Sequence, residues 1–467
     1  MTTFPKQMQS NVYKLISHWI FAILHTQELL KNNQHSWKMG GTSSSSQPTQ
    51  IKTEEDTRFE SFLSCITDDD TSSNAIDKNK FINSFPSEVK GFAECFINQV
   101  TSQTNVPQVL ACRQAFQRIA NLSTSSAQAT FYLSLCKSHD ETLREDDCFD
   151  LFRAAYYFYC QTSSVKIETS KSADEESLKC LVATISLQKE CDKCVTWIDQ
   201  NCPEIFSGLH LWLLGVTTSS LPKSETILSE SIPSSCILNG VLWWLLSASL
   251  PSDFSQPSKP SGPSTEILQH SRNVWASLYS SNEHGLSVNR FQHHVFAYRG
   301  PTVFLVSCSD GCRYALAVDV EWRDGTTPWG GQNSFFIQIS PFYKIVEEGE
   351  KMVLFNEKSR NIPKGLFIGR DRSKYSLKIT EGFQSVEHGG QSANLLDVEV
   401  WGCGGGGAKV QQMEQKKREK RDTEKNAKVK LPGEWDQNPD RLLLEWGGVR
   451  PSYGDQFKAD FGPDARS

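Results

Sequence analysis

The stretch Asn361-Ile362-Pro363-Lys364-Gly365-Leu366-Phe367-Ile368-Gly369 decides how this chain is interpreted. A short strand is predicted after it at Tyr375–Ile379, and Leu396-Asp397-Val398-Glu399-Val400-Trp401 closes the unit. In the closing run the apolar residues alternate with two acidic ones. Because successive side chains of a strand point to opposite faces, Leu396, Val398 and Val400 are expected on one face and the acidic residues on the other.

Working outward, further β-rich runs precede this stretch. Gly, Pro and Asp separate them, as is usual between antiparallel strands. The runs are Thr302–Ser307, Tyr314–Val320, Ser334–Ile339 and Met352–Phe355. A two-layer β-sandwich over residues 265–402, with a few helices packed on it, accounts for this pattern.

Residues 54–250 show helical periodicity instead. Helices are predicted near Phe92–Val100, Gln108–Ile119, Gln128–Lys137, Asp147–Cys160 and Glu176–Gln188. We divide this part into a helical region at 54–165 and a middle helical region at 173–250. A Pro- and Ser-rich linker follows at 251–264. The predicted fold class is therefore α+β, with helical regions before the sandwich.

The segment Asp69–Lys80, within the first helical region, resembles a degenerate EF-hand loop. Oxygen-bearing residues occupy several ligand positions, namely Asp69, Thr71, Ser73 and Asp77. Position six holds Asn74 where glycine is needed, and position twelve holds Lys80 where a bidentate Glu is needed. We expect a helix-loop-helix scaffold without calcium, and an ordinary polar turn remains the alternative.

The amino-terminal part contains a predicted helix at Val12–Leu30, within a possible extension at 1–38. The Ser-rich segment 39–53 begins with Met39-Gly40 and has Ser44 at the last position of an N-myristoylation pattern. That signal works only if Gly40 becomes the first residue. Either Met39 is the start and Gly40 is acylated, or the match is a coincidence in a linker.

The carboxyl-terminal part, residues 403–467, continues from a glycine run, Gly402–Gly407, which we interpret as a flexible break. Lys409–Lys430 is predicted to be a highly charged helix with few apolar residues, so it cannot bury a face of its own. It is a solvated strut or a surface for a partner. The segment Arg441–Gly448 is an apolar plug that could dock on the sandwich.

Composition excludes several classes of protein. The chain has 467 residues, a net charge of −6 and a pI near 6.0, so no overall charge favours nucleic acid or membrane. Fourteen cysteines occur without a dense small-domain framework, which favours reduced thiols in the cytosol. No run approaches the roughly 20 apolar residues that span a bilayer.

Several residues have the side-chain types that catalysis or metal binding requires, but their surroundings favour simpler structural roles. Serines and the histidines His284, His293, His294 and His388 suggest a hydrolase, but no Gly-x-Ser-x-Gly elbow occurs, and surface or turn histidines are favoured. Cys191, Cys194, Cys202 and His210 could be drawn as a zinc site, but their apolar neighbours favour a helix core. Cys308 and Cys312 flank a predicted hairpin turn.

Six motifs together resemble a TLDc domain, and they occur in the family's order. They are His284-Gly285-Leu286-Ser287, Arg299-Gly300-Pro301, the strand ending at Trp322, Ser334-Phe335-Phe336-Ile337, Gly365–Gly369 and Glu399-Val400-Trp401. Arg370 departs from the pattern, because a second glycine is common there. The segment between Thr380 and Leu395 is short, and a hairpin is expected to be missing from it.

The resemblance implies a function that composition and spacing do not. It implies a non-catalytic regulator without cofactor that is peripheral on lysosomal or endosomal membranes. The implied partners are subunits of the vacuolar proton-pumping ATPase and components of mTOR signalling, with neither nucleic acid nor a small-molecule substrate. The alternatives are a protein of oxidative-stress resistance and an uncharacterised TLDc enzyme.

Overall fold

The computed structural model describes residues 62–64, 66–67, 75–102, 107–137, 142–162, 165–167, 171–188, 190–217, 230–232, 235–254 and 275–427. Two compact units are distinguished, residues 1–411 and residues 412–467. The predicted helix at 12–30, Gly40 and the apolar segment 441–448 lie outside the described residues.

Helices make up the first part of the chain, as the periodicity predicts. They are α1 (Lys78–Asn83), α2 (Lys90–Thr101), α3 (Gln108–Ala120), α4 (Ser125–Leu135), α5 (Glu145–Thr162), α6 (Lys171–Ser186), α7 (Cys191–Asn201), α8 (Ser207–Thr217) and α9 (Gly240–Ser249). Side chains cap several amino termini: Thr124 accepts from the Ala127 amide at 3.2 Å, and Asn239 from the Leu242 amide at 2.8 Å. Two short strands, β1 (Val165–Ile167) and β2 (Glu230–Ile232), pair in parallel.

Antiparallel strands follow from residue 276. They are β3 (Ala276–Ser280), β4 (Thr302–Cys308), β5 (Arg313–Val318), β6 (Phe335–Ser340), β7 (Lys344–Glu348), β8 (Val353–Asn356), β9 (Gly365–Ile368), β10 (Leu377–Thr380), β11 (Ser385–His388) and β12 (Gln391–Gly402). Two helices, α10 (Ser281–His284) and α11 (Val288–Val295), lie between β3 and β4. The last described helix is α12 (Gly405–Ala427).

Strand β12 belongs to two sheets. Its first residues pair with β11, and from Leu395 onward it pairs with β4 on one side and, from Glu399, with β3 on the other. The strand order is therefore β7-β6-β5-β4-β12-β11-β10-β9-β8, with β3 also paired to β12. The change of partner divides the strands into a first sheet, β3 to β7, and a second sheet, β8 to β11.

A bulge in β12 changes which residues face the core. The register with β4 shifts between Leu395 and Asp397, and the side chain of Leu396 is 51% exposed. The prediction that Leu396 shares a face with Val398 and Val400 is therefore wrong. Leu395 is buried with these two residues instead. Glu399 does lie on the opposite face, but it is 2% exposed because helices cover that face.

Both faces of the first sheet are buried, which produces three layers. On β4, Phe304 and Val306 belong to the core between the two sheets, whereas Val303 and Leu305 belong to the core shared with the helices. Every residue of β4 is buried as a result. The helical region and the sheet thus share one hydrophobic core, in which each fully buried aliphatic side chain contributes about 2 kcal/mol.

The glycine run is not a flexible break. Gly402 ends β12, paired with both Thr302 and Ala276, and Gly405 begins α12. A Cβ on Gly404 would lie 2.9 Å from the Cα of Gly300, so these glycines allow two backbone segments to cross closely.

The expected loss of a hairpin after Thr380 is also wrong, because β11 and β12 form one around Gly389 and Gly390. Their φ angles of +56° and +80° suit a tight two-residue turn. The sequence interpretation also missed β3, β7 and β9 as strands. The α+β fold class is confirmed, and none of the described helices has the length and apolar character to cross a bilayer.

Candidate functional site

The His284–Ser287 motif is a turn that attaches α11 to the sheet. The Tyr279 hydroxyl donates to the Gly285 carbonyl at 2.7 Å, and the His284 ring stacks on Tyr279 with centroids 5.6 Å apart. Gly285 has a φ of +73°, which glycine adopts readily. Ser287 occupies the N-cap position of α11, whose Phe291 is fully buried between the sheets.

Gly300 and Trp322 also have internal roles. A Cβ on Gly300 would lie 2.8 Å from the Cα of Gly404, and the Gly404 amide donates to the Tyr298 hydroxyl at 2.8 Å. The Trp322 indole N–H donates to the Thr302 hydroxyl at 2.8 Å, within the core between the sheets. Both residues therefore fix the junctions between strands.

Gly365 and Gly369 lie at the two ends of β9, the strand formed by the Gly-Leu-Phe-Ile motif. Their φ angles are +128° and +135°, and a Cβ on Gly365 would lie 2.2 Å from the Ile379 carbonyl oxygen. The buried Asn356 organises the loop before β9, because its amide donates to the carbonyls of Ser359, Ile362 and Pro363 at 3.0–3.1 Å. No sequence signal had pointed to Asn356.

Glu399 and Trp401 join the helical region to the sheet. The Glu399 carboxylate accepts from the Cys236 amide at 2.8 Å, the Ile237 amide at 3.1 Å and the Ser235 hydroxyl at 2.7 Å. The Trp401 indole N–H lies 3.3 Å from the same carboxylate. A buried carboxylate is costly unless several donors satisfy it, and here the donors come from the segment leading into α9.

Two cavities in the described part of the chain are lined by residues other than the motif residues. A cavity of about 10 Å³ beside α6, α9 and β6 has none of them in its lining, and it is about the size of one water molecule. A groove of about 250 Å³ between α2, α3 and α4 is lined by residues of these helices and of the turns that follow them. The hydrogen bonds of the polar motif residues connect strands, loops and helices of the described structure.

The histidines were predicted to lie at the surface or in turns, and this is wrong for His388. It lies on β11 with 8% of its surface exposed. Its Nδ1 is 3.0 Å from the Tyr314 hydroxyl, and its Nε2 is 2.8 Å from a carboxylate oxygen of Asp310. The Tyr314 ring of β5 packs on this histidine, with ring centroids 5.4 Å apart, and contributes to its burial.

The first zinc candidate is a set of core residues. Cys191, Cys194 and Cys202 are buried, and the Cys194 thiol donates to the Ile185 carbonyl. His210 makes a 3.0 Å hydrogen bond through Nδ1 with the buried Tyr132 hydroxyl. In the described residues, His, Cys and carboxylate ligands do not come together at this place. The core interpretation therefore explains the Cys-x-x-Cys spacing.

The described end of the EF-hand-like loop has structural contacts. Asp77 caps α1, with its carboxylate accepting from the Asn79 and Lys80 amides at 2.9 and 3.2 Å. The Lys80 ammonium group donates to the Thr67 carbonyl at 3.2 Å, while the buried Ile76 bridges to Thr67. Of the other predicted loop positions, Asp69, Thr71 and Ser73 lie outside the described residues.

Comparison with known proteins agrees with the motifs. Residues 234–404 match the TLDc domain family, so the match begins before the boundary predicted at 265 and takes in the segment that Glu399 binds. A relative, Restriction of telomere capping protein 5 of Leptosphaeria maculans, is 23% identical, with 37% of this chain and 40% of that protein covered. This chain thus spans about two fifths of the length of the curated relative it matches. Residues 234–404 of this chain are therefore a TLDc domain.

Proposed function

We propose that this protein is a non-catalytic adaptor that acts through surface contacts of its TLDc domain and α12. The observation that supports this proposal is that the polar motif residues form hydrogen bonds inside the protein. Glu399, Trp322 and His284 each have a polar side-chain atom that hydrogen-bonds to an internal partner, so they join structural elements. A scaffold of this kind offers its exterior to a partner.

Helix α12 supplies a surface suited to a partner. Its sequence has seven basic and four acidic residues, and the side chains described at 417–421 are exposed. Val410 and Met413, one helical turn apart, are 56% and 52% exposed. Glu414 and Arg418 form a single long ion pair at 3.9 Å, which contributes little to stability. This surface suits an acidic partner with an apolar contact.

The family resemblance supports the vacuolar proton-pumping ATPase as that partner, with a role in mTOR signalling at lysosomal or endosomal membranes. We propose that acylation of Gly40 supplies the membrane contact when Met39 is the start. One myristoyl chain gives only marginal binding, with an association constant of about 10⁴ M⁻¹, so a protein contact must add to it. Mass spectrometry of the amino terminus tests the acylation, and recovery of unmodified residues 1–38 in the bulk protein contradicts it.

Pull-down from lysosomal membranes tests the adaptor function. Lys417→Glu combined with Arg421→Glu reverses two exposed charges of α12, and recovery of pump subunits should fall at least tenfold. Lys193→Glu is the matched control, because its side chain is exposed on α7, away from α12 in sequence. Equal recovery with the α12 variant and the control contradicts the proposed surface. Point variants are preferable to truncation after Trp401, which would remove the buried Cys403.

The alternative of oxidative-stress resistance by direct thiol chemistry is disfavoured by the cysteines themselves. Burial, followed by the carboxylates of Glu399 and Asp397, raises the pKa of the Cys236 thiol. Burial raises the pKa of Cys308 to about 12. Because the thiolate is the nucleophile, these cysteines should react slowly with peroxide at neutral pH.

A further inference from the structure

The turn between β4 and β5 brings two cysteines and an acidic residue close to a histidine from a distant strand. Cys308 ends β4, and its amide donates to the Cys312 carbonyl at 2.9 Å across the turn. The Ser309 amide donates to the Asn394 carbonyl at 2.9 Å, which holds this turn against β12. His388 then approaches from β11, the next strand in the sheet.

The atoms of this cluster have the spacing of a metal site. One ligand atom each from Cys308, Asp310 and His388 lies within 4.8 Å of the other two. In a tetrahedral zinc site with bonds of 2.0–2.3 Å, ligand atoms are separated by roughly 3.5 Å. The widest separation that the cluster allows exceeds this distance by about 1.3 Å, and the 2.8 Å between Nε2 and Asp310 Oδ2 falls short of it by about 0.7 Å, so side-chain rotations at the turn bring the three atoms to that distance.

The buried histidine is oriented for ligation. Its Nδ1 hydrogen-bonds the Tyr314 hydroxyl at 3.0 Å, and a partner of this kind fixes the ring of a metal-binding histidine. Nε2 lies 2.8 Å from Asp310 Oδ2 and pairs with it. This nitrogen, in a side chain more than nine-tenths buried, therefore points at another ligand atom of the cluster.

Cys312 lies beside this set. Its amide donates to Asp310 Oδ1 at 3.0 Å, although its sulfur is not one of the three ligand atoms that lie within 4.8 Å of one another. Two sulfurs, one imidazole nitrogen and one carboxylate oxygen are the ligand types found in zinc sites. Calcium and magnesium prefer sites made of oxygen alone, so they do not suit this turn.

We propose that this turn binds one zinc ion through Cys308 Sγ, Asp310 and His388 Nε2, with Cys312 Sγ rotating in as the fourth ligand. The ion would connect the β4–β5 hairpin to the β11–β12 hairpin and so fix the junction of the two sheets. Four protein ligands make this a closed structural site. The two thiols lose their protons on binding, which makes the affinity fall as the pH falls. This inference does not depend on the proposed adaptor function.

Zinc titration of the purified full-length chain, stripped with a chelator, tests the site. Metal analysis after dialysis should find one zinc per chain, and cobalt substitution should give a thiolate-to-cobalt charge-transfer band. Cys308→Ser and Asp310→Asn should each lower the zinc affinity at least 100-fold. Tyr314→Phe removes only the group that orients His388, and should lower the affinity by about 10–100-fold.

Two controls separate ligation from folding. Cys236→Ser removes an exposed thiol on the helical side and should leave the affinity unchanged. Circular dichroism of the metal-free proteins shows whether each variant is folded. Asp310→Asn is expected to remain folded, because Asp310 lies at a turn and Asn has nearly the same size as Asp. Absence of zinc from the unaltered protein overturns the proposal, as does equal affinity in Cys308→Ser and Cys236→Ser.

Discussion

Replacing Glu399 with alanine removes the carboxylate that joins the segment before α9 to strand β12. Two backbone amides, those of Cys236 and Ile237, lose an acceptor at 2.8 and 3.1 Å, and Ser235 loses one at 2.7 Å. A hydrogen bond to a charged group contributes about 1.5–3 kcal/mol, and a buried donor left unsatisfied costs about 1–3 kcal/mol. Cys236 is exposed and its amide can find water, so the expected loss is about 4 kcal/mol.

Urea denaturation of the full chain, followed by tryptophan fluorescence, measures this loss. Glu399→Gln keeps the shape and one acceptor oxygen, and should cost only about 1–2 kcal/mol. Glu387→Ala is the matched control on the neighbouring strand, because its ion pair with Lys378 is partly exposed and contributes within about 1 kcal/mol.

Hydrogen exchange locates the effect. In Glu399→Ala the amides of Cys236 and Ile237 should exchange much faster, whereas those of β9 should keep their rates, since β9 lies in the other sheet. If Glu399→Ala destabilises no more than Glu387→Ala and leaves these two amides protected, the carboxylate does not join the helices to the sheet.

Three other changes test the packing and the pH response. Gly300→Ala places a Cβ against facing backbone and should destabilise by about 1–3 kcal/mol in urea, whereas Gly407→Ala, with open space around it, should stabilise by up to about 1 kcal/mol. Trp322→Phe leaves the Thr302 hydroxyl unsatisfied and should lower the free energy of unfolding by about 2–4 kcal/mol. Adding Thr302→Val to this variant should restore part of the lost stability, and no recovery would contradict the pairing of these two side chains. Burial lowers the pKa of His210 from 6.5 to about 4. The unfolded chain therefore takes up a proton first, so stability falls as the pH drops from about 6.5 to 4, by up to about 3 kcal/mol. His210→Gln should flatten that part of the stability profile, and an unchanged slope would assign it to other groups.

The order of local elements follows from the sequence, because it depends on short-range patterns. Helical periodicity located α2, α3 and α5, and alternation bounded by turn residues located β4, β5 and β6. The motif glycines Gly365 and Gly369 were identified through the family resemblance, and their positive φ angles explain why glycine stands there.

Only the tertiary structure shows what the helices and strands predicted from these patterns pack against. Alternation in β12 placed Glu399 on the face opposite Val398 and Val400, but it could not show that helices cover this face or that a bulge exposes Leu396. The glycine run at 402–407 was predicted to be flexible, because glycine is common both in flexible segments and where two backbones come close. The proximity of Gly300 to Gly404 shows that close backbone contact is the reason here. His388 joins Cys308 and Asp310 through strand pairing across many residues. Such long-range neighbours leave no periodic trace in one sequence, because pairing and burial depend on the whole fold.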